Sequence, residues 1–157
     1  MRQNGSLSRI LHVLLHMEQH RDAMTSEQIG RMLGTNPTVV RRTMAGLREA
    51  GYVSSVKGHG GGWTLARPLA DMTLLDVYTA LGAPELFALG MATDAPECLV
   101  EQAVNAALGQ TLEEAERQLL ARFGEVRLSE IAADFTLRAA VTTRGTCQGK
   151  HIGKHVA

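Results

Sequence analysis

Two N-capping signals, with a helix-ending glycine between them, define two helices and the short turn that joins them. Thr25 and Gln28 have the spacing of a capping box, which predicts a short helix that Gly34 ends. Asn36-Pro37 then combines a preferred N-cap residue with a proline at the first helical position. Because only one residue lies between Gly34 and this second cap, the pattern predicts a helix-turn-helix.

The helix that begins at Pro37 has two contrasting faces. A first helix is predicted earlier in the chain, with Ser6 as its cap and an apolar stripe of Leu7, Ile10, Leu11, Leu14 and Met17. One face of the helix that begins at Pro37 is predicted to pack against this first helix and against the short helix. This packing face consists of Val40, Thr43, Met44 and Leu47. The opposite face carries Thr38, Arg42, Ala45 and Glu49, with Arg41 and Arg48 beside it. Arginines among small and hydroxyl side chains favour a helix that enters the major groove of DNA.

Two β-prone segments around a glycine-rich tip follow this helix directly. Residues 52–56 and 63–66 are the predicted strands, and the tip reads Lys57-Gly58-His59-Gly60-Gly61-Gly62. Because the tip has few side chains, its backbone can closely approach phosphates or a narrow groove. A hairpin in this position is typical of the wing of a winged helix-turn-helix.

The net charge of zero hides a separation of charge along the chain. Residues 1–68 contain nine Lys and Arg against four Asp and Glu, whereas residues 69–143 contain four against twelve. A basic first part beside an acidic second part indicates that the first part meets a polyanion. Aromatic residues make up only 4% of the chain, so the core must be aliphatic, which favours helices.

The region after the wing is predicted to lead into a dimerisation helix. Thr73 caps a helix that ends at Gly82, and a loop with a helical turn near residues 85–89 follows. Residues 96–123 then form one long helix with a nearly heptad apolar ladder of Val100, Val104, Leu108, Leu112, Ala115, Leu119 and Phe123. A monomer of 157 residues has no place to bury so long a helix, so we expect it to pair with a second copy.

These elements predict a mainly α fold with a small β-wing, namely a winged helix-turn-helix domain plus a long dimerisation helix. The predicted divisions are the DNA-binding domain (1–68), a connecting helix and loop (69–95), the dimerisation helix with a final helix (96–141) and a flexible tail (142–157). The apolar run of residues 10–17 is too short and too polar for a signal peptide or membrane span. Two cysteines make no disulfide framework, so a cytoplasmic location is expected.

The sequence from Leu47 to Ala66 resembles the Rrf-two family of bacterial transcription regulators, which includes the iron–sulfur cluster regulator and the nitric-oxide-sensing repressor. The matching residues are Leu47-Arg48-Glu49-Ala50-Gly51-Tyr52-Val53-Ser54-Ser55-Val56 and the wing through Gly60-Gly61-Gly62-Trp63-Thr64-Leu65-Ala66. Further support comes from Thr73-Leu74-Leu75-Asp76-Val77 and Leu128-Ser129-Glu130-Ile131, so the resemblance covers roughly residues 5–135. It implies a homodimer, usually a repressor, that reads a roughly palindromic DNA site with one recognition helix in each major groove.

The chain departs from the iron–sulfur members of this family at the loop before the long helix. Those members carry three cysteines there, whereas this chain has only Cys98, and Cys147 lies in the tail. Because clusters are held by several thiolates, we expect no iron–sulfur cluster and no other cofactor. Two interpretations of Cys98 stay open: a redox or electrophile sensor near a helix N-terminus, or a small packing residue. A small-molecule or redox effector is expected to change the angle between the two DNA-binding domains.

The predicted DNA contacts lie on the recognition helix and the wing: Thr35, Asn36, Thr38, Arg41, Arg42, Arg48, Lys57, His59, Gly60 and Gly61. We expect Thr38, Arg41 and Arg42 to reach base edges, with Thr35 and Asn36 on phosphate or base. Lys57, His59 and the tip glycines are expected to hold the flanking backbone or the minor groove.

Other classes of function have less support in the sequence. The main alternative is a winged-helix module that binds a protein, which the basic charge of residues 1–68 opposes. The glycine-rich tip lacks the Gly-Lys-Ser/Thr ending of a nucleotide loop, and no catalytic set is visible, so no enzyme is expected. Spacings that can chelate a metal occur at His12 and His16, and at Cys147, His151 and His155, but we expect no metal site.

Overall fold

The computed structural model describes residues 6–20 and 22–141. Within these residues the helices are α1 (Ser6–Gln19), α2 (Ser26–Leu33), α3 (Pro37–Glu49), α4 (Leu74–Ala80), α5 (Leu99–Glu125) and α6 (Leu128–Val141). The strands are β1 (Val53–Val56) and β2 (Gly62–Leu65), and a short 3-10 helix spans Leu69–Asp71. The predicted tail (142–157), with Cys147, His151 and His155, lies outside the described residues. The mainly α fold with a small β-wing is confirmed.

The caps predicted for α2 and α3 are present. The Thr25 backbone N–H donates to Gln28 Oε1 over 2.7 Å, and the Gln28 N–H donates back to Thr25 Oγ1 over 3.1 Å. Gly34 ends α2 in the left-handed conformation, with φ of 63°. Asn36 Oδ1 accepts the N–H of Thr38 over 2.8 Å and so opens α3. Local hydrogen bonds therefore set the length and spacing of both helices.

A core of mainly aliphatic side chains lies between the first three helices and extends into the rest of the chain. It comprises Ile10, Val13, Leu14, Met17, Ile29, Val40, Met44, Leu47, Val53, Trp63, Leu69, Met72, Val77 and Leu128. The predicted stripe of α1 omitted Val13, which is fully buried, whereas Leu7 and Leu11 are only partly buried. Ser6, predicted as the cap of α1, is instead its first residue.

The turn between α5 and α6 is bonded to the segment that precedes α4. The Leu74 N–H donates to the Val126 carbonyl over 3.0 Å, and the Leu128 N–H donates to the Met72 carbonyl over 2.9 Å. Leu128 is fully buried in the common core. The end of α5 and the start of α6 are thus attached to the segment that precedes α4, and the core continues past the division predicted at residue 68.

The segment between α4 and α5 differs from its prediction. No helical turn forms at residues 85–89. Before this segment, Ala83 has a positive φ of 45°, and the Pro84 carbonyl accepts a hydrogen bond from the Tyr78 hydroxyl over 2.8 Å. The long helix begins at Leu99 instead of Pro96, with Cys98 as its N-cap. None of the described helices is long and apolar enough to cross a membrane.

Candidate nucleic-acid interface

The helix-turn-helix is closely packed because Gly30 has no side chain. A Cβ atom at this position would lie 2.8 Å from the carbonyl oxygen of Thr35. The Thr35 N–H donates to the Gly30 carbonyl over 2.9 Å, which closes the turn. Sequence reasoning missed Gly30, although a glycine inside an eight-residue helix is the signal that could have revealed it.

The outer face of α3 brings most of the predicted base-reading residues together. The side chains of Val40, Met44 and Leu47 are buried beneath it, as the helical pattern predicts. The exposed residues of this face and its flanks are Asn36, Thr38, Arg41, Arg42 and Arg48, whereas Thr35 and Ala45 are half-buried. Since Asn36 Oδ1 is occupied by the N-cap, its side-chain amide can only donate to a nucleic acid.

The two neighbouring arginines of α3 have different surroundings. The Arg41 guanidinium forms an ion pair with Glu27 of α2, with Nη2 and Oε1 2.5 Å apart. Arg42 forms no ion pair within residues 6–20 and 22–141. Arg42 therefore presents a full positive charge, while the charge of Arg41 is balanced by its partner.

The wing presents its tip to solvent. Lys57, His59 and Gly60 are exposed, and Gly58 and Gly60 have φ angles of 97° and 78°, which favour glycine. The Gly61 N–H donates to the Gly58 carbonyl over 2.9 Å, so it is already used inside the turn. Of the predicted contact residues at the tip, Lys57, His59 and Gly60 are exposed, whereas Gly61 is half-buried.

Trp63 of β2 attaches the wing to the helix-turn-helix. Its backbone exchanges two hydrogen bonds with Met24, over 2.9 and 3.0 Å. Its indole Nε1 donates to Ser26 Oγ over 3.0 Å, and both residues are buried. The wing and the start of α2 are therefore held together as one surface. Sequence reasoning treated Trp63 only as a strand residue, since the partners are distant in sequence.

The predicted ladder of α5 lies in two different environments. Near its N-terminus Val100, Val104 and Leu108 are 71%, 51% and 46% exposed. At the other end the Phe123 ring packs edge-on against Tyr78 of α4, with ring centroids 5.9 Å apart. Leu112, Ala115 and Leu119 are half-buried, and no residue of the whole helix is fully buried.

Cys98 is exposed at the start of α5. Backbone N–H groups of Glu101 and Val100 approach its sulfur and lower the pKa of the thiol. On α1, the rings of His12 and His16 are 4.6 Å apart. Burial, and then the neighbouring histidines, lower the pKa of His16.

Comparison with known proteins decides what this arrangement is. A family model described as Rrf2, an iron-dependent transcriptional regulator, matches residues 4–134. The chain belongs to the Rrf2 family. This confirms the resemblance to the Rrf-two regulators. The chain is therefore a DNA-binding transcription regulator, and the prediction that it is not an enzyme is confirmed by its family.

Individual relatives of the chain are transcription regulators, and solved structures share its fold. The chain is 33% identical to YwnA, an HTH-type transcriptional regulator of Bacillus subtilis, over 74% of this chain and 86% of YwnA. It is 36% identical to YwgB of the same organism, over 52% of this chain and 53% of YwgB. A transcriptional regulator from Lactobacillus plantarum shares the fold, with a TM-score of 0.72, 23% identity, and coverage of 88% of this chain and 95% of that one. The T. potens protein IscR has a TM-score of 0.61 at 18% identity and covers 95% of this chain and 94% of its own.

The described part of this Rrf2 chain does not offer the set of thiolates that holds an iron–sulfur cluster. Cys98 is the one cysteine that it contains, so it supplies a single thiolate. Within residues 6–20 and 22–141, no three histidine, cysteine or acidic side chains are grouped to hold a metal ion. Since a cluster needs several thiolate or imidazole ligands, DNA binding by this chain is not attributed to a bound cluster.

Proposed function

We propose that this Rrf2 regulator is a cytoplasmic homodimer that represses transcription by binding a palindromic operator. The observation that carries the proposal is the apolar surface at the start of α5, where Val100, Val104 and Leu108 lie exposed. Exposed apolar side chains at one-turn intervals on a 27-residue helix favour burial against an equivalent helix. Two winged helices joined in this way suit a DNA site with two-fold symmetry.

The proposed contacts divide between base reading and backbone binding. Thr38, Arg41 and Arg42 reach base edges from α3, because arginine can form paired hydrogen bonds with guanine in the major groove. Asn36 and Thr35 contact a phosphate or a base at the start of α3, and Arg48 contacts the DNA backbone at the end of α3. Lys57, His59 and Gly60 of the wing tip contact the flanking DNA backbone, while Gly61 holds the tip turn together through its hydrogen bond to Gly58.

An effector would act on the connection between the two halves of the molecule. Cys98 lies where the loop enters α5, so a modification there is placed to change how α5 pairs with its partner. Its exposure and lowered pKa support a role as a redox or electrophile sensor over a role as a buried packing residue. In this proposed mechanism the regulator acts without a resident cofactor.

Selection from random duplex DNA, followed by sequencing of the bound pool, tests this function. A two-fold-symmetric motif with half-sites about one helical turn apart is the expected result. A bound pool without a motif would contradict sequence-specific reading and leave a salt-sensitive, non-specific binder. A protein that binds no DNA, with or without oxidation of Cys98, would instead point to a winged-helix module whose partner is another protein.

A further inference from the structure

We infer that Glu27 is a specificity-determining residue, which restrains Arg41 and so limits binding to DNA that lacks the operator. The inference rests on the proposed function, because it requires α3 to lie in the major groove. Its basis is the ion pair between Glu27 and Arg41, which joins α2 to α3 at the exposed side of the helix-turn-helix.

The geometry leaves the Arg41 side chain restrained but accessible. The contact uses Nη2 of Arg41 and Oε1 of Glu27, so the other N–H groups of the guanidinium are free for a base edge. Both side chains are about half exposed, at 56% and 54%. Neither residue is enclosed by the protein, so DNA can reach the pair without any rearrangement of the core.

The surroundings of Glu27 make Arg41 its cationic partner. Arg31, one turn further along α2, directs its Nε to the Glu27 backbone carbonyl over 3.4 Å and not to the carboxylate. Within the described residues the Glu27 carboxylate has no other ion pair. If Arg41 turned away towards a phosphate, this carboxylate would remain unpaired close to the DNA backbone.

Specificity follows from the difference between two kinds of complex. On the operator, Arg41 can read a base while it keeps its contact with Glu27. On other DNA the useful target is a phosphate, and an Arg41 side chain that turns towards the DNA backbone leaves Glu27 unpaired beside a polyanion. The carboxylate therefore weakens non-specific binding more than specific binding, which is discrimination through an unfavourable contact.

The Glu27→Gln variant tests this role because glutamine keeps an acceptor oxygen for Arg41 but removes the charge. Binding is measured on the selected operator duplex and on a duplex of the same composition in shuffled order, over a series of salt concentrations. We expect the ratio of the operator affinity to the shuffled-duplex affinity to fall about fivefold at 0.15 M salt. The slope of log affinity against log salt concentration should become steeper by about 0.9, and only on the shuffled duplex. Glu18→Gln is the matched control, since Glu18 is exposed on α1 and has no ion pair among the described residues.

A second background separates the pair from a general effect of charge. In the Arg41→Gln protein, Glu27→Gln should leave the operator-to-shuffled ratio unchanged, because the residue that Glu27 restrains is gone. The inference is overturned if the ratio falls equally in the Glu18→Gln control, stays constant in the Glu27→Gln protein, or falls without Arg41. If the unmodified chain itself binds both duplexes equally, the proposed function fails, and the role of Glu27 fails with it.

Discussion

The indole N–H of Trp63 donates to the Ser26 hydroxyl over 3.0 Å, which ties the second wing strand to the first turn of α2. Both side chains are buried, so removal of the hydroxyl leaves an indole donor without a partner. We expect Ser26→Ala to lower the free energy of unfolding by about 1–3 kcal/mol, measured by urea denaturation. Ser8→Ala, at an exposed position of α1, is the control and should change it by less than about 0.5 kcal/mol. Equal effects would show that the Trp63 contact contributes nothing.

Arg42 and Lys57 should affect DNA binding in different ways. Arg42 is a cation on the exposed face of α3 with no ion pair among the described residues, so Arg42→Ala should cost about 1–3 kcal/mol of discrimination between operator and shuffled duplexes. Lys57 lies at the wing tip, so Lys57→Ala should weaken both complexes alike. It should also reduce the magnitude of the slope of log affinity against log salt concentration by about 0.9. Equilibrium titration of both duplexes at several salt concentrations measures these effects. Sequence-independent losses from both variants would refute this division.

The exposed end of α5 should control assembly. Val104→Asp places a charge in the apolar surface formed with Val100 and Leu108, so it should convert a dimer into a monomer. Sedimentation equilibrium measures the mass, and circular dichroism establishes that the variant is folded. Ala106→Asp puts the same charge about 160° around the helix from Val104, at an exposed position, and should remain dimeric. A folded, dimeric Val104→Asp protein would place the interface elsewhere.

Cys98 should react as a thiolate at lower pH than an ordinary cysteine. The backbone N–H groups of Glu101 and Val100 lower its pKa, so the deprotonated thiol persists as the pH falls. The rate of alkylation by iodoacetamide, followed against pH in a Cys147→Ser protein, should have a lower midpoint in the folded chain than in guanidinium chloride. Coincident midpoints would mean that the start of α5 does not activate this thiol.

Features fixed by neighbouring residues could be predicted from the sequence. The caps at Thr25 and Asn36 involve partners two or three residues away, and the wing follows from glycines in a turn. Contacts between distant residues could not be predicted, because residue spacing does not reveal them. The ion pair of Arg41 with Glu27 spans 14 positions, and the hydrogen bond of Trp63 with Ser26 spans 37.

In the C-terminal half, too, contacts between distant residues could not be predicted from the sequence. Its long helix was predicted from an apolar repeat, and α5 is present, but the repeat does not distinguish side chains that pack within the chain from those left exposed. Phe123 contacts Tyr78 in the same chain, whereas Val100 stays exposed. The hydrogen bond from Leu128 to Met72 likewise comes from the arrangement of the chain as a whole.

Footprinting of the selected operator tests most directly whether a symmetric dimer reads DNA through α3. Dimethyl sulfate reports on guanine N7 in the major groove, and hydroxyl radicals report on the sugar-phosphate backbone. We predict two protected major-groove patches centred about 10 base pairs apart on one face of the duplex, with backbone protection beside each from the wing. Protection in the major groove should be lost in the Arg42→Ala protein while that from the wing persists. A single unsymmetrical patch, or a pattern that Arg42→Ala leaves unchanged, would contradict the proposed mode of binding.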